Sequence, residues 1–114
     1  MRPYEVMVIV DPDLDDAEIQ QILDRAQDAL TSRGGLVNRL DPWGRRQLAY
    51  EIRHKHQGYY ALFEVTSEPG PVGEMDRVLR LDDNVMRHKV IRIPDEVAGR
   101  TAPTAGADTS AQGG

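Results

Sequence analysis

The stretch YEVMVIVDPDLDDAE, residues 4 to 18, decides how the fold begins. From Tyr4 to Val10 it alternates. Tyr4, Val6, Val8 and Val10 fall on one side, and Glu5, Met7 and Ile9 on the other. That is the period of a strand rich in β-branched residues. Asp11-Pro12-Asp13 breaks the alternation. Asp15, followed three residues later by Glu18, makes a capping-box pattern at the start of a helix. Ile19, Ile22, Leu23, Ala26 and Leu30 then recur at helical spacing and give that helix one apolar face, and Gly34-Gly35 ends it.

Outward from this β-α unit, the pattern repeats with a hairpin between. Leu36 to Leu40 is a second strand. Pro42-Trp43-Gly44 is expected to interrupt it, because proline removes a ladder donor. Arg45 to Ile52 resumes the extended pattern, Arg53 to Gln57 is a polar connection, and Tyr59 to Thr66 is the third strand. Glu68 to Pro71 turns into a second helix that runs to about Leu81, with Val72, Met75, Val78 and Leu79 on its apolar face. Asp82-Asp83-Asn84 stops it, and Val85 to Ile93 is the last strand. The order β-α-β-β-α-β predicts an α+β, ferredoxin-like fold. Two helices cover one face of a four-stranded antiparallel sheet, and the other face stays open. From Pro94 the composition shifts to Ala, Gly, Thr, Pro and Asp. Residues 1–94 are therefore read as the domain and 95–114 as a disordered tail, since so little there can be buried.

The chain has 14 basic and 19 acidic residues and a formal charge of −5. The charge is uneven: −5 over residues 1–33, +2 over 34–66, zero over 67–94 and −2 over 95–114. Asn84 to Pro94 holds Arg87, Lys89 and Arg92 and no acid, so an acidic protein carries a local basic strip. There is no cysteine, which removes disulfides and thiolate chemistry. No apolar run approaches the roughly 18 residues that span a bilayer. The opening Met1-Arg2-Pro3 leads at once into a strand and is no signal peptide, so the cytoplasm is the expected location.

Motifs of enzyme chemistry are missing. Asp11, Asp13 and Asp15 resemble the start of a calcium loop, but Asp16 stands where glycine is needed and Ile22 where the bidentate glutamate is needed. A solvated turn capping a helix explains these acids better. His54 and His56 form H-x-H with no third ligand in reach of the pattern, and His88 is expected to be a packed or hydrogen-bonded strand histidine. Neither a phosphate-binding glycine loop nor a nucleophile elbow occurs. A phosphatase on this topology needs donors after the first strand, and the four aspartates there repel phosphate. No catalytic residue, metal, cofactor or small-molecule substrate is expected.

What is present is positive charge near strands. Arg45 and Arg46 follow the Trp43-Gly44 kink, and Arg53 with Lys55 lies at the far end of the hairpin. Alternation puts Arg87, Lys89 and Ile91 on one face of the last strand and His88 and Val90 on the other. If Val90 packs beneath the helices, Arg87 and Lys89 lie on the open face. Arg2 and Tyr4 then lie close to the strip, because the first and last strands are neighbours in this topology. Guanidinium groups grip phosphates and an aromatic ring stacks on a base. An RNA-recognition motif shares the topology, but in Gln57-Gly58-Tyr59-Tyr60-Ala61-Leu62-Phe63-Glu64 the residues Ala61 and Glu64 replace its stacking aromatics. A stand-alone RNA module and a small-molecule regulatory domain remain alternatives on the residues alone.

The run Gly44-Arg45-Arg46-Gln47-Leu48-Ala49-Tyr50-Glu51-Ile52-Arg53 resembles the signature of the bacterial small-subunit ribosomal protein S-six family. Arg2-Pro3-Tyr4-Glu5, Gly58-Tyr59-Tyr60 and Asp83-Asn84-Val85-Met86-Arg87 resemble it too, so the likeness covers residues 1 to about 94. It implies a structural, non-enzymatic ribosomal protein in a heterodimer with ribosomal protein S-eighteen. It further implies binding to the central domain of small-subunit ribosomal RNA. On the family match, Arg2, Tyr4, Arg45, Arg46, Arg87 and Lys89 are the expected RNA or partner contacts, and Arg92 joins them on charge alone.

Overall fold

The computed structural model describes residues 1–94. The tail expected over 95–114 lies outside the described residues. Strand β1 (Arg2–Val10) leads into helix α1 (Asp16–Thr31). Strands β2 (Leu36–Ile52) and β3 (Lys55–Ser67) form a long hairpin, and helix α2 (Pro69–Leu81) and strand β4 (Val85–Arg92) complete the order. The strands form one sheet in the order β2-β3-β1-β4, and every neighbouring pair is antiparallel. This is the ferredoxin-like architecture expected from the pattern.

Local chemistry sets the first unit. Every second residue of β1, from Tyr4 through Val6 and Val8 to Val10, is buried. The capping box forms as expected: Asp15 Oδ1 accepts from the Glu18 amide at 2.8 Å and Glu18 Oε1 from the Asp15 amide at 3.2 Å. Two first-turn amides that have no helical partner are thereby satisfied. Helix α1 lays Ile19, Ile22, Leu23, Ala26 and Leu30 on the sheet, and α2 adds Val72, Met75 and Leu79. Phe63, at the middle of β3, is fully buried between them.

Three expectations change. Pro42-Trp43-Gly44 does not interrupt the second strand: β2 runs through it with a register shift between Pro42 and Gly44. Gly44 takes φ +84°, a left-handed value that glycine adopts freely, so one extra residue bulges out and the ladder continues. Pro42 is tolerated because β2 is an edge strand. The polar connection shrinks to two residues, Arg53 and His54, with φ of 52° and 63°, between the pair Ile52 and Lys55. That is the left-handed two-residue hairpin turn. Lastly, Glu68 to Pro71 is not a turn ahead of the helix: α2 already starts at Pro69, and Pro71 falls in its first turn as expected.

Candidate functional site

The sheet face away from the helices is built of rows that the register fixes. Arg87, Ile9, Tyr60 and Gly44 stand side by side across β4, β1, β3 and β2. The next row is Lys89, Met7, Leu62 and Asp41, and the third is Ile91, Glu5, Glu64 and Arg39. Arg87, Lys89 and Ile91 are exposed, while Val90 packs against the core on the opposite side, as the alternation of β4 requires.

The end of this face near Arg87 is aromatic as well as basic. Trp43, pushed out by the bulge, stacks on Tyr60 with ring centres 6.2 Å apart and planes 12° from parallel. The Arg46 guanidinium lies over the Trp43 ring at 5.2 Å, and that of Arg87 over the Tyr50 ring at 5.6 Å. Tyr50 is brought there because β2 shifts register again between Gln47 and Ile52, so Leu48 to Glu51 bulge away from the ladder. Leu48 is buried close to Gly58, where a Cβ would collide with Ile9 Cγ2 and come within 3.3 Å of Leu48 Cδ2. Glycine at 58 therefore allows the bulge to settle on the face. Burial and the neighbouring Tyr50 push the Tyr60 phenol up, with the Arg46 cation opposing.

Two of the expected contact residues are placed otherwise. Tyr4 is a core residue, only 8% exposed, on the helix side of β1, so its ring has no open surface on which to stack a base. Arg45 is also on the helix side, over the Tyr59 ring at 5.7 Å. Its Nε donates to the Pro12 carbonyl at 2.9 Å, its Nη2 to the Leu14 carbonyl at 2.9 Å, and its Nη1 meets Asp16 at 3.3 Å. It staples the β1–α1 loop to the hairpin. Arg45→Ala should therefore cost about 1–2 kcal/mol of stability, and Arg46→Ala under about 0.5 kcal/mol. Urea unfolding of both variants checks this; equal losses would remove the distinction.

The hairpin tip is structural in the same way. Arg53 donates to the Asp83 carbonyl at 2.6 Å and the Val85 carbonyl at 3.3 Å. Lys55 pairs with Asp13 and, at 3.1 Å, with Asp11. Burial works against ionising Asp11, but the Asp13 amide and the Lys55 ammonium outweigh it and hold the carboxyl below its usual range. The aspartates after β1 thus serve as a cap and as anchors for cations. His88 is hydrogen-bond partner to Asp76, with Nε2 2.8 Å from Oδ1. Among the described residues no cluster of three His, Cys, Asp or Glu side chains is disposed to hold a metal, and no helix is long and apolar enough to cross a membrane.

Arg2 and Arg92 are exposed at the other end of the sheet, on the helix side by parity, where the Ile93 amide donates to the Pro3 carbonyl at 3.0 Å. The sequence reading therefore brings together Arg46, Arg87 and Lys89 on the open face, sets Arg2 and Arg92 apart from them, and loses Tyr4 and Arg45 to the scaffold. Trp43, Tyr50 and Tyr60, which the structure sets beside Arg46 and Arg87, were not among the expected residues. For Tyr60 a signal existed, since alternation puts it on the opposite side of β3 from Ala61 and Phe63.

Known proteins resemble the chain along most of its length. The family described as ribosomal protein S6 matches residues 3–92. The small ribosomal subunit protein bS6 of Paenarthrobacter aurescens is 42% identical over 96 residues, covering 84% of this chain and 95% of that protein. That of Symbiobacterium thermophilum is 45% identical over 92 residues, with 81% and 97% covered. A crystal structure of ribosomal protein S6 from Thermotoga maritima superposes with a TM-score of 0.76 at 24% identity, over 81% of this chain and 87% of that one. At that identity it bears on the fold alone, and it agrees with the βαββαβ order. With sequence relatives this close over this much of its length, the chain belongs to the ribosomal protein S6 family and is a structural ribosomal protein, not an enzyme.

Proposed function

We propose that this chain binds the central domain of small-subunit ribosomal RNA as a heterodimer with ribosomal protein S-eighteen. RNA meets the basic, aromatic end of the open sheet face. The observation that carries this is where its free cations lie. Arg25, Arg33, Arg39, Arg45, Lys55, Arg77 and Arg80 are each paired with an acid. Of the cations without an acid partner among the described residues, Arg53 is held by scaffold carbonyls, Arg2 and Arg92 lie at the other end of the sheet, and Arg46, Arg87 and Lys89 share the open face, where Arg46 and Arg87 each lie over an aromatic ring. Arginine supplies fork-shaped donors to phosphate, and the Trp43 and Tyr50 rings are surfaces on which an unpaired base can stack. Arg2 and Arg92 are proposed as outlying phosphate contacts. A ribosomal role places the protein in the cytoplasm, in the small subunit.

Arg87→Ala tests the RNA-facing end. The residue is exposed and makes no hydrogen bond to the scaffold among the described residues, so the variant should melt with the parent. In the presence of the partner protein, the dependence of log affinity on log salt should fall by roughly one unit, the loss of one phosphate contact. An unchanged slope at unchanged affinity would remove Arg87 from the interface.

A further inference from the structure

The β2–β3 hairpin is longer than the sheet that supports it. β1 pairs with β3 only from Tyr59 to Ser67, so Lys55 to Gly58 and the facing end of β2 overhang the end of β1. A two-stranded ribbon without a third neighbour is marginal in water. Two cations fasten this one. Lys55 ties it to the β1–α1 loop through Asp11 and Asp13. Arg53 reaches the other way, donating to the carbonyls of Asp83 at 2.6 Å and Val85 at 3.3 Å, where α2 passes into β4. β2 and β4 are the two edges of the sheet, three strand spacings or roughly 14 Å apart where strands lie flat. At this end they meet twice: through the Arg53 fork, and through Arg87, whose guanidinium lies over the Tyr50 ring at 5.6 Å. Tyr50 precedes Arg53 closely, in the second bulge of β2, and Arg87 follows Val85 closely on β4. The backbone at the tip gives no reason for an arginine. Arg53 and His54 have φ of 52° and 63°, where Asn-Gly is the usual pair and most side chains are strained.

We infer that Arg53 is a positioning residue for RNA binding: by clamping the hairpin tip to the α2–β4 turn, it holds Tyr50 beside Arg87, so that ring and guanidinium meet RNA as one preformed surface. This rests on the RNA-facing end proposed above. Arg53 itself touches no phosphate, since both arms of its fork are taken by carbonyls. Preforming the pair removes an ordering cost that RNA would otherwise meet on binding.

The test combines NMR of the free full chain with filter binding of the heterodimer to central-domain RNA over a range of salt. Arg53→Asn is the main variant, because asparagine suits the left-handed turn but is too short to reach the carbonyls, so the fold should survive. In the parent, the Tyr50 ring should shift the Arg87 side-chain protons upfield, and Tyr50→Leu should abolish that shift. Arg53→Asn should lose the shift and weaken RNA binding about three- to tenfold with the salt slope unchanged. Arg53→Lys, which keeps the charge but not the fork, should restore part of each. Added to Arg87→Ala, Arg53→Asn should bring less than about a further twofold loss, because the pair is already broken. An Arg87 shift that survives Arg53→Asn, or an unchanged RNA affinity, overturns the positioning role. A salt slope lowered by about one unit makes Arg53 a phosphate contact instead, and fully additive losses make it independent of Arg87; either result overturns it too. If the parent heterodimer does not bind this RNA, the RNA reading fails and takes the role of Arg53 with it; the Arg87 shift, read without RNA, separates that failure from the others.

Discussion

Phe63→Ala should lower the free energy of unfolding by about 3–5 kcal/mol, a large part of the 5–15 kcal/mol typical of a domain. Phe63 is fully buried. It sits at the middle of β3, paired with Val6 of β1 on one side and with Leu40 of β2 on the other, beneath both helices. Truncation removes the largest fully buried side chain from the centre of a small core. Its neighbours Val6, Val8 and Val65 are held in strands, and cannot move in to fill the cavity without breaking ladder bonds. Urea unfolding followed by far-ultraviolet circular dichroism would show the midpoint falling with the slope unchanged. A loss under about 1 kcal/mol would mean that the core is not centred on β3.

The second large effect is the dependence of RNA binding on a partner. At physiological salt the chain alone should bind central-domain ribosomal RNA at least about a hundredfold more weakly than the heterodimer, within the usual gap between non-specific and specific binding. Residues 1–33 carry −5, and much of that charge lies around α1 and the loop before it. Phosphates within the screening length of about 8 Å feel this repulsion. Many of the basic residues are spent on internal ion pairs, and Arg45 and Arg53 on carbonyls of the scaffold. Arg46, Arg87 and Lys89, with Arg2 and Arg92 outlying, offer few phosphate contacts, while tight binding commonly uses more. On the proposed function, a basic partner would supply the remainder. Filter binding with and without ribosomal protein S-eighteen measures the ratio; equal affinity would show that the free cations of this chain suffice.

How far the fold was legible depended on whether local signals agreed with the tertiary outcome. The β1 alternation and the Asp15–Glu18 box are local, and both form as written. Pro42-Trp43-Gly44 looked like a break because proline and glycine usually punctuate strands. At an edge, with a glycine free to take positive φ, the same residues make a bulge. The hairpin tip was hidden because Arg53 and His54 are poor residues for left-handed φ, where asparagine or glycine would have marked the turn. Arg53 is held there by the Asp83 and Val85 carbonyls, a contact far away in sequence.

The site was legible where strand parity governs it. Arg87 and Lys89 face outward on β4 as alternation requires. The same rule placed Tyr4 with Val6 and Val8, in the core, and so argued against its use in stacking. Arg45 could not be sorted from Arg46 by charge, because the loop carbonyls that capture it come from Pro12 and Leu14. Trp43 and Tyr50 reach the open face only through the two bulges of β2, which depend on Gly44 and Gly58 rather than on any motif in the strand itself.

As a structural ribosomal protein, this chain should be a stoichiometric constituent of the small ribosomal subunit. Sucrose-gradient fractionation of a bacterial lysate containing the full chain, with quantitative detection across the fractions, tests it directly. The chain should peak with the small subunit and with intact ribosomes, at one copy per subunit, and stay there through a moderate salt wash. Recovery chiefly at the top of the gradient, or a small fraction of a copy per subunit, would contradict it.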